Sequence, residues 1–329
     1  MTNVLVYGFY GKNNLGDDLF MEAFRNLFPN FNFKFTDQIN ANLLECVSVV
    51  FFGGGSFLTG EPNIKCDALP LLKSKKIFYI GVGVENKIHP VHVELMKLAK
   101  LVAVRSSSQV FRANAINTNT YCIPDLVFCL QKHIKLADRD IVSFDPKSVL
   151  VLPNIYVVPS HMHSHWMHVC WEYFKSEFAQ FLDTLICDNY NVRFLAMSQN
   201  KKLHDSWASI EIMNQMKNKN VEYIIDNKSH TIESIAHLIS TQSIIITQRY
   251  HGAVLSEMVG TPYLVISHHD KLNNSYFSHG SNLSYYGVNK LVLMDQFNKI
   301  INMGPYSCVV DLGFFENLKN NIIKLVNEE

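Results

Sequence analysis

The chain has 329 residues, 48% hydrophobic and 18% charged, with 29 Lys and Arg set against 29 Asp and Glu. That length fits two domains of roughly 150 residues each, the apolar content excludes a disordered chain, and the balanced charge lacks the basic footprint of a nucleic-acid binder. The start, Met1–Tyr7, lacks a basic stretch followed by a long apolar one, and no apolar run approaches the ~18 residues of a membrane helix, so a cytoplasmic protein with no transmembrane segment is expected.

In chain order, Val4–Tyr7 reads as an apolar strand and residues 17–28 as an amphipathic helix stopped by Pro29. Between them lies Gly8-Phe9-Tyr10-Gly11-Lys12-Asn13-Asn14-Leu15-Gly16-Asp17-Asp18. Its spacing is neither G-x-G-x-x-G nor that of a P-loop, and two Asp at a helix start would repel a pyrophosphate. Asp17 and Asp18 serve either as a cap and a complement to the helix dipole, or as a polar ligand or base towards a sugar hydroxyl. Residues 47–52 form a second strand running into Gly53-Gly54-Gly55, and residues 77–80 a third running into Gly81-Val82-Gly83. Such glycines fit tight strand-to-helix turns with or without a ligand. Residues 91–99 have helical spacing, 101–104 are strand-like and end in Arg105, and 106–113 can form the next helix. Strands alternating with helices and ending in glycine turns predict doubly wound parallel sheets, with ligands beyond the carboxyl ends of the strands.

Regularity lapses around residues 136–168, where Asp138-Arg139-Asp140 and three prolines fall. The crossover is placed near 135–150, giving an N-terminal Rossmann-like domain over 1–140 and a C-terminal one over 141–329, facing each other across a cleft. His161, His163, His165 and His168 suggest a metal, but no acidic or Cys ligand accompanies them and no one geometry is fixed, so an ordinary His-rich loop is the favoured reading. The seven cysteines are scattered, with no C-x-x-C pair, and read as reduced thiols. Beyond this region, strand 148–152, helix 170–187, strand 192–197, helix 206–216 and strand 221–225 follow. Thr231 is placed as the cap of a helix bearing Ile232, Ile235, Leu238 and Ile239 on one face.

The next stretch carries the strongest chemical signal. The β-branched run Ser243–Thr247 hands over through Gln248-Arg249-Tyr250-His251-Gly252 to an apolar helix closed by Gly260-Thr261-Pro262. A permanent cation and a titratable imidazole at a helix N-terminus, with Gly252 allowing close approach, suit an anionic ligand and a proton transfer. The competing reading is a buried Arg bonding carbonyls and a His capping the helix.

Taken together, Gly11, Asn14, Gly16, Asp17 and Asp18, the triplet Gly53-Gly54-Gly55, Gly81 with Gly83, Arg105-Ser106, Pro124-Asp125-Leu126, Arg249-Tyr250-His251-Gly252, and then Gly260, Pro262 and Lys271 occur in an order and spacing that resembles the polysaccharide pyruvyltransferase family over nearly the whole chain. Tyr250 stands where that family often has Leu, and residues 138–168 match no motif. The resemblance implies a GT-B-like pair of Rossmann-like domains around a cleft. It also implies transfer of a pyruvyl group from phosphoenolpyruvate to a sugar or glycan, commonly as a cyclic ketal. It assigns Arg249 and Arg105 as donor anchors, with Gly252, Gly53, Gly54 and Lys271 around the donor. His251 becomes the acid, Asp17 a second catalytic group, and Asn14 and Asp18 acceptor-side or loop residues. Neither metal nor redox cofactor is required, phosphoenolpyruvate being a co-substrate. The rivals are a GT-B glycosyltransferase with a nucleotide-sugar donor, for which Glu257 is a candidate ribose ligand, and a non-catalytic relative.

Overall fold

The computed structural model describes residues 1–55, 57–134, 145–155, 165–201, 203–224, 231–267, 280–308 and 310–328. The chain forms two compact units, one of residues 1–12, 17–130 and 310–329, the other of residues 13–16 and 131–309. A single break at 140 therefore does not describe it. A four-residue piece of the first loop packs with the second unit, the main crossing falls at 130, and the last stretch of chain returns to the first unit.

The first unit holds strands Thr2–Tyr7 (β1), Phe31–Thr36 (β2), Val49–Gly55 (β3), Lys76–Val82 (β4), Leu101–Val104 (β5) and Thr120–Cys122 (β6). All pair in parallel, in the order β2-β1-β3-β4-β5-β6. Helices Leu15–Leu27 (α1), Ala41–Glu45 (α2), Ala68–Lys73 (α3), Pro90–Leu98 (α4) and Ser107–Asn114 (α5) supply the crossovers. Strand residues alternate between the two faces, and both faces are apolar, as in a parallel sheet covered on both sides. On one face Phe52 stacks on Tyr79, ring centroids 4.7 Å apart. On the other, Phe51 meets Phe24 of α1 at 5.9 Å and Phe78 at 5.4 Å.

The second unit holds Ser148–Leu152 (β7), Asn191–Leu195 (β8), a small antiparallel pair Gln199–Asn200 (β9) and Leu203–His204 (β10), then Glu222–Ile224 (β11), Ile244–Thr247 (β12), Tyr263–Ser267 (β13) and Gly280–Ser284 (β14). Its main sheet is again parallel, in the order β11-β8-β7-β12-β13-β14. Its helices are His165–Cys187 (α6), Ser206–Gln215 (α7), Ile232–Ser240 (α8), Tyr250–Val259 (α9) and Lys290–Ile301 (α10). Helix α6 buries Trp171, Phe174, Phe178, Phe181 and Leu185, a three-to-four-residue spacing that presents one stripe to the core. Helix Gly313–Asn327 (α11) closes the chain in the first unit, with Phe315, Leu318 and Ile322 buried. Among the described residues no helix is long and apolar enough to cross a membrane, and no two cysteines form a disulfide.

Each sheet order contains one reversal. The chain moves outward from β1 to β2 and then returns to the other side of β1 with β3; it moves from β7 through β8 to β11 and returns beside β7 with β12. Loops leaving the carboxyl ends at such a reversal diverge, and the gap between them is where open α/β sheets place ligands.

Candidate functional site

In the second unit the reversal lies between β7 and β12, and the Arg/His turn leaves the carboxyl end of β12. Leu152 and Thr247 are paired at the last register position, and the Gln248 N–H donates to the Leu152 carbonyl at 2.9 Å. Thr247, fully buried, fixes the turn from within. Its Oγ1 accepts from the Arg249 N–H at 2.9 Å and donates to the Arg249 carbonyl at 2.8 Å. Arg249 is thus held as the N-cap residue of α9, in extended conformation, although its side chain makes no cap bond. Gly252 belongs to the packing of this turn: a Cβ there would lie 2.3 Å from Thr247 Oγ1 and 2.7 Å from Leu152. The sequence suggested a glycine admitting a ligand; the structure shows one admitting the strand beneath.

The Arg249 guanidinium is engaged along one edge. Its Nε donates to Asp205 Oδ2 at 2.9 Å and its Nη2 donates to Oδ1 of the same carboxylate. Asp205 is fully buried and also accepts from the Ile155 N–H at 3.0 Å and the Ser198 N–H at 2.8 Å. This one carboxylate therefore ties together the chain after β7, the chain after β8, the start of α7 and Arg249. Charge-assisted, forked contacts of this kind fix geometry as well as charge. Asp205 carried no role in the sequence reading, where residue 205 is simply the position before a helix.

His251 lies in the first turn of α9, partly buried, its ring edge-on to Tyr250 at 5.3 Å. Its neighbour from the far end of the chain is Gly16: a Cβ built there would fall 2.1 Å from His251 Nδ1. The piece that brings Gly16 in is pinned by backbone pairing with the segment after β8. The Leu15 N–H donates to the Met197 carbonyl, the Gln199 N–H donates to the Asn13 carbonyl, and Asn14 bridges Ser198. Asn13 adopts φ 56°, a left-handed conformation that Asn tolerates better than most residues. Asn14, Gly16, Arg249 and His251 thus gather in one compact unit.

The first unit holds the other expected residues in two places: one group beyond β4, β5 and β6, the other at the reversal between β1 and β3. Arg105 follows β5 and is buried, its Nη1 3.1 Å from Asp125 Oδ2. Asp125 in turn accepts from the Val127 N–H at 3.0 Å, and Leu126 packs on Gly81, whose φ is +67°. Gly81, Arg105 and Asp125-Leu126, three separate stretches of sequence, meet here. Asp18 accepts from the Gly11 N–H at 3.0 Å. Burial raises its carboxyl above the ordinary aspartate range, an effect the Gly11 N–H partly offsets. Asp17 Oδ1 lies 3.5 Å from where a Gly55 Cβ would stand. Gly53 and Gly54 are contacted by α1: their Cβ atoms would strike Phe24 and Phe20 at 2.4 and 2.5 Å. Helix packing is a sufficient reason for both glycines.

Lys271, His161 and His163 lie outside the described residues, as do Asp138-Arg139-Asp140. His165 begins α6. Among the described residues no group of three or more His, Cys, Asp or Glu could hold a metal ion. Glu257, the candidate ribose ligand, sits near the other end of α9. It is buried and accepts from Tyr263 Oη at 2.8 Å and Tyr306 Oη at 3.0 Å.

Comparison with known proteins adds the following. A family model, polysaccharide pyruvyl transferase, matches residues 14–270. UDP-GlcNAc 2-epimerase from Methanocaldococcus jannaschii superposes with a TM-score of 0.62 at 8% identity, covering 98% of this chain and 100% of that one. The Neisseria meningitidis UDP-GlcNAc 2-epimerase bound to UDP-GlcNAc gives 0.60 at 10% identity, covering 98% and 100%. UDP-N-acetylglucosamine 2-epimerase from Rickettsia bellii gives 0.58 at 10% identity, covering 99% and 96%. Likeness at such identities shows the fold alone, here two Rossmann-like units of GT-B type. No curated protein matches the sequence.

Proposed function

The chain belongs to the polysaccharide pyruvyl transferase family, and on that premise we propose that it moves a pyruvyl group from phosphoenolpyruvate to hydroxyls of a sugar in a glycan or glycan precursor, closing a ketal. The observation that carries this reading is the buried Arg249, braced by Asp205 and set beside His251 at the N-terminus of α9, where the second sheet reverses. A guanidinium and a helix N-terminus favour an anion, and phosphoenolpyruvate carries two anionic groups.

In this mechanism the His251 imidazolium protonates the methylene carbon of the donor, the carbonyl-derived carbon becomes oxocarbenium-like, and a sugar hydroxyl adds to it with loss of its proton. The bond between that carbon and the phosphate oxygen then breaks, releasing inorganic phosphate and restoring the oxocarbenium-like centre, and a second hydroxyl adds there, its proton passing to the phosphate. Arg249 anchors the donor throughout. Carboxylates accept from hydroxyls, so Asp17 and Asp18 of the first unit are assigned to the acceptor, with Asp17 as the base. Arg105 is assigned to donor binding by family resemblance, its guanidinium oriented by Asp125.

Incubation with phosphoenolpyruvate and a panel of glycan acceptors, followed by mass spectrometry, should show a pyruvyl ketal with release of phosphate. Arg249→Ala should weaken phosphoenolpyruvate binding, while His251→Ala should bind the donor and not turn it over. Normal phosphate release by the His251 variant would remove that residue from the chemistry. The nucleotide-sugar rival is disfavoured by Glu257, which two tyrosines sequester away from the turn. Stabilisation by nucleotide sugars and not by phosphoenolpyruvate in a thermal shift assay would reverse that judgement.

A further inference from the structure

Gln248 is the residue between β12 and the donor anchor, and its carboxamide is oriented by its partners. Oε1 accepts from the Asn154 backbone N–H at 3.1 Å, while the Asn154 side chain donates back to the Gln248 carbonyl at 3.4 Å. An N–H can be answered only by an acceptor, so the contact fixes which end of the amide is oxygen and leaves Nε2 as the outward donor. That Nε2 is shielded from solvent and has no hydrogen-bond partner among the described residues. A buried donor without an acceptor is unfavourable, and native proteins keep few of them. This one lies where β7 and β12 diverge, one residue from Arg249.

We propose that Gln248 is a donor-recognition residue: its Nε2 gives a hydrogen bond to an anionic oxygen of the bound donor, and Asn154 is the clamp that aims it. The inference rests on the phosphoenolpyruvate reading. Nε2 is covered by protein atoms, so the donor oxygen must take their place. Gln248 thereby makes the site selective for ligands that place an acceptor beside the guanidinium.

The test is phosphoenolpyruvate binding by calorimetry on the full chain, comparing wild type with Gln248→Glu. That variant keeps an oxygen for the Asn154 N–H and replaces only the donor. Near pH 8 its dissociation constant should rise at least roughly 10- to 100-fold, the range for a hydrogen bond to a charged group. The deficit relative to wild type should shrink as the pH falls and the new carboxyl regains a proton to donate, a recovery that a packing defect would not show. Gln248→Met, which removes the donor without adding charge, guards against misfolding of the first variant and should lose roughly 10-fold. Inorganic phosphate and pyruvate, titrated separately, identify whether the phosphate or the carboxylate is the partner: the fragment whose affinity falls in the Met variant is the one contacted. If wild type binds phosphoenolpyruvate and both variants bind it equally well, the inference is overturned while the functional reading stands. If wild type does not bind it, both fall together.

Discussion

Any residue but glycine at position 16 would place a Cβ 2.1 Å from Nδ1 of His251, well inside contact distance, so ring and segment could not both keep their places. Gly16→Ala is therefore expected to displace the imidazole while leaving Arg249 and Asp205 untouched. Misplacing a reacting group by about 1 Å can cost on the order of 100-fold in rate. Ketal formation should fall by about that factor, with phosphoenolpyruvate affinity changed far less. Equal losses in binding and turnover would show that Gly16 serves the donor site and not His251. Asp205 makes the complementary case. Removing one partner of a buried ion pair strands the other charge and costs about 3–5 kcal/mol, so Asp205→Ala should lower both stability to urea and donor affinity. Unchanged affinity in a folded Asp205→Ala protein would deny that the carboxylate aims Arg249. The sequence marked Arg249, His251 and Gly16 because each belongs to a patterned motif. It did not mark Asp205, since a lone acidic residue before a helix looks like an ordinary cap, and only the return of β12 beside β7 reveals its four contacts.

Elements were more legible than their partners. The strand over 244–247, its glycine-ended helix and the Thr231 cap on α8 follow from β-branched runs, 3.6-residue periodicity and side-chain chemistry, and the Thr231 hydroxyl does accept from the Ser234 N–H at 3.3 Å. The glycines of the first sheet were harder, because one residue type answers equally to a ligand or to a ring: Phe20 and Phe24 of α1 decide Gly54 and Gly53. Helix α4 shows what periodicity could not tell. His92, read only as part of a helical span, is fully buried with Nδ1 3.2 Å from Tyr79 Oη. Burial, assisted by nearby His89, lowers its pKa to about 4. An unfolded histidine titrates near 6.5, so below that pH the unfolded chain takes up a proton the folded one resists. The stability contribution is complete above pH 6.5 and is lost as the pH falls towards 4, about 2 kcal/mol of it by pH 5. Urea unfolding at pH 7.5 and pH 5 should show a larger drop for wild type than for His92→Gln. Parallel drops would place the acid sensitivity elsewhere.

At the scale of the molecule, the expected fold class holds and the expected single boundary does not. Two parallel sheets follow from alternating strand and helix signals. The lapse in regularity after residue 135 suggested one crossing, and nothing local announces that a chain will come back. The return is a single helix, α11, whose buried Phe315, Leu318 and Ile322 would suit any core; what ties it to the first unit is long-range, including Lys76 Nζ donating to the Val326 carbonyl at 2.9 Å. Each such apolar side chain contributes about 1.5–3 kcal/mol when fully buried. Ending the chain at residue 309 therefore removes a large share of the margin of roughly 5–15 kcal/mol that holds a typical protein folded. Hydrogen exchange on the shortened protein should show lost protection in β1 to β6, with β7, β8 and β12 retaining theirs, because the second unit keeps its own core around Trp171 and Phe174. Protection retained throughout the first sheet would mean that α11 merely lies on that unit. Loss spread evenly over both sheets would mean that the two fold as one cooperative body, and that the division at 130 and 310 describes contacts without describing stability.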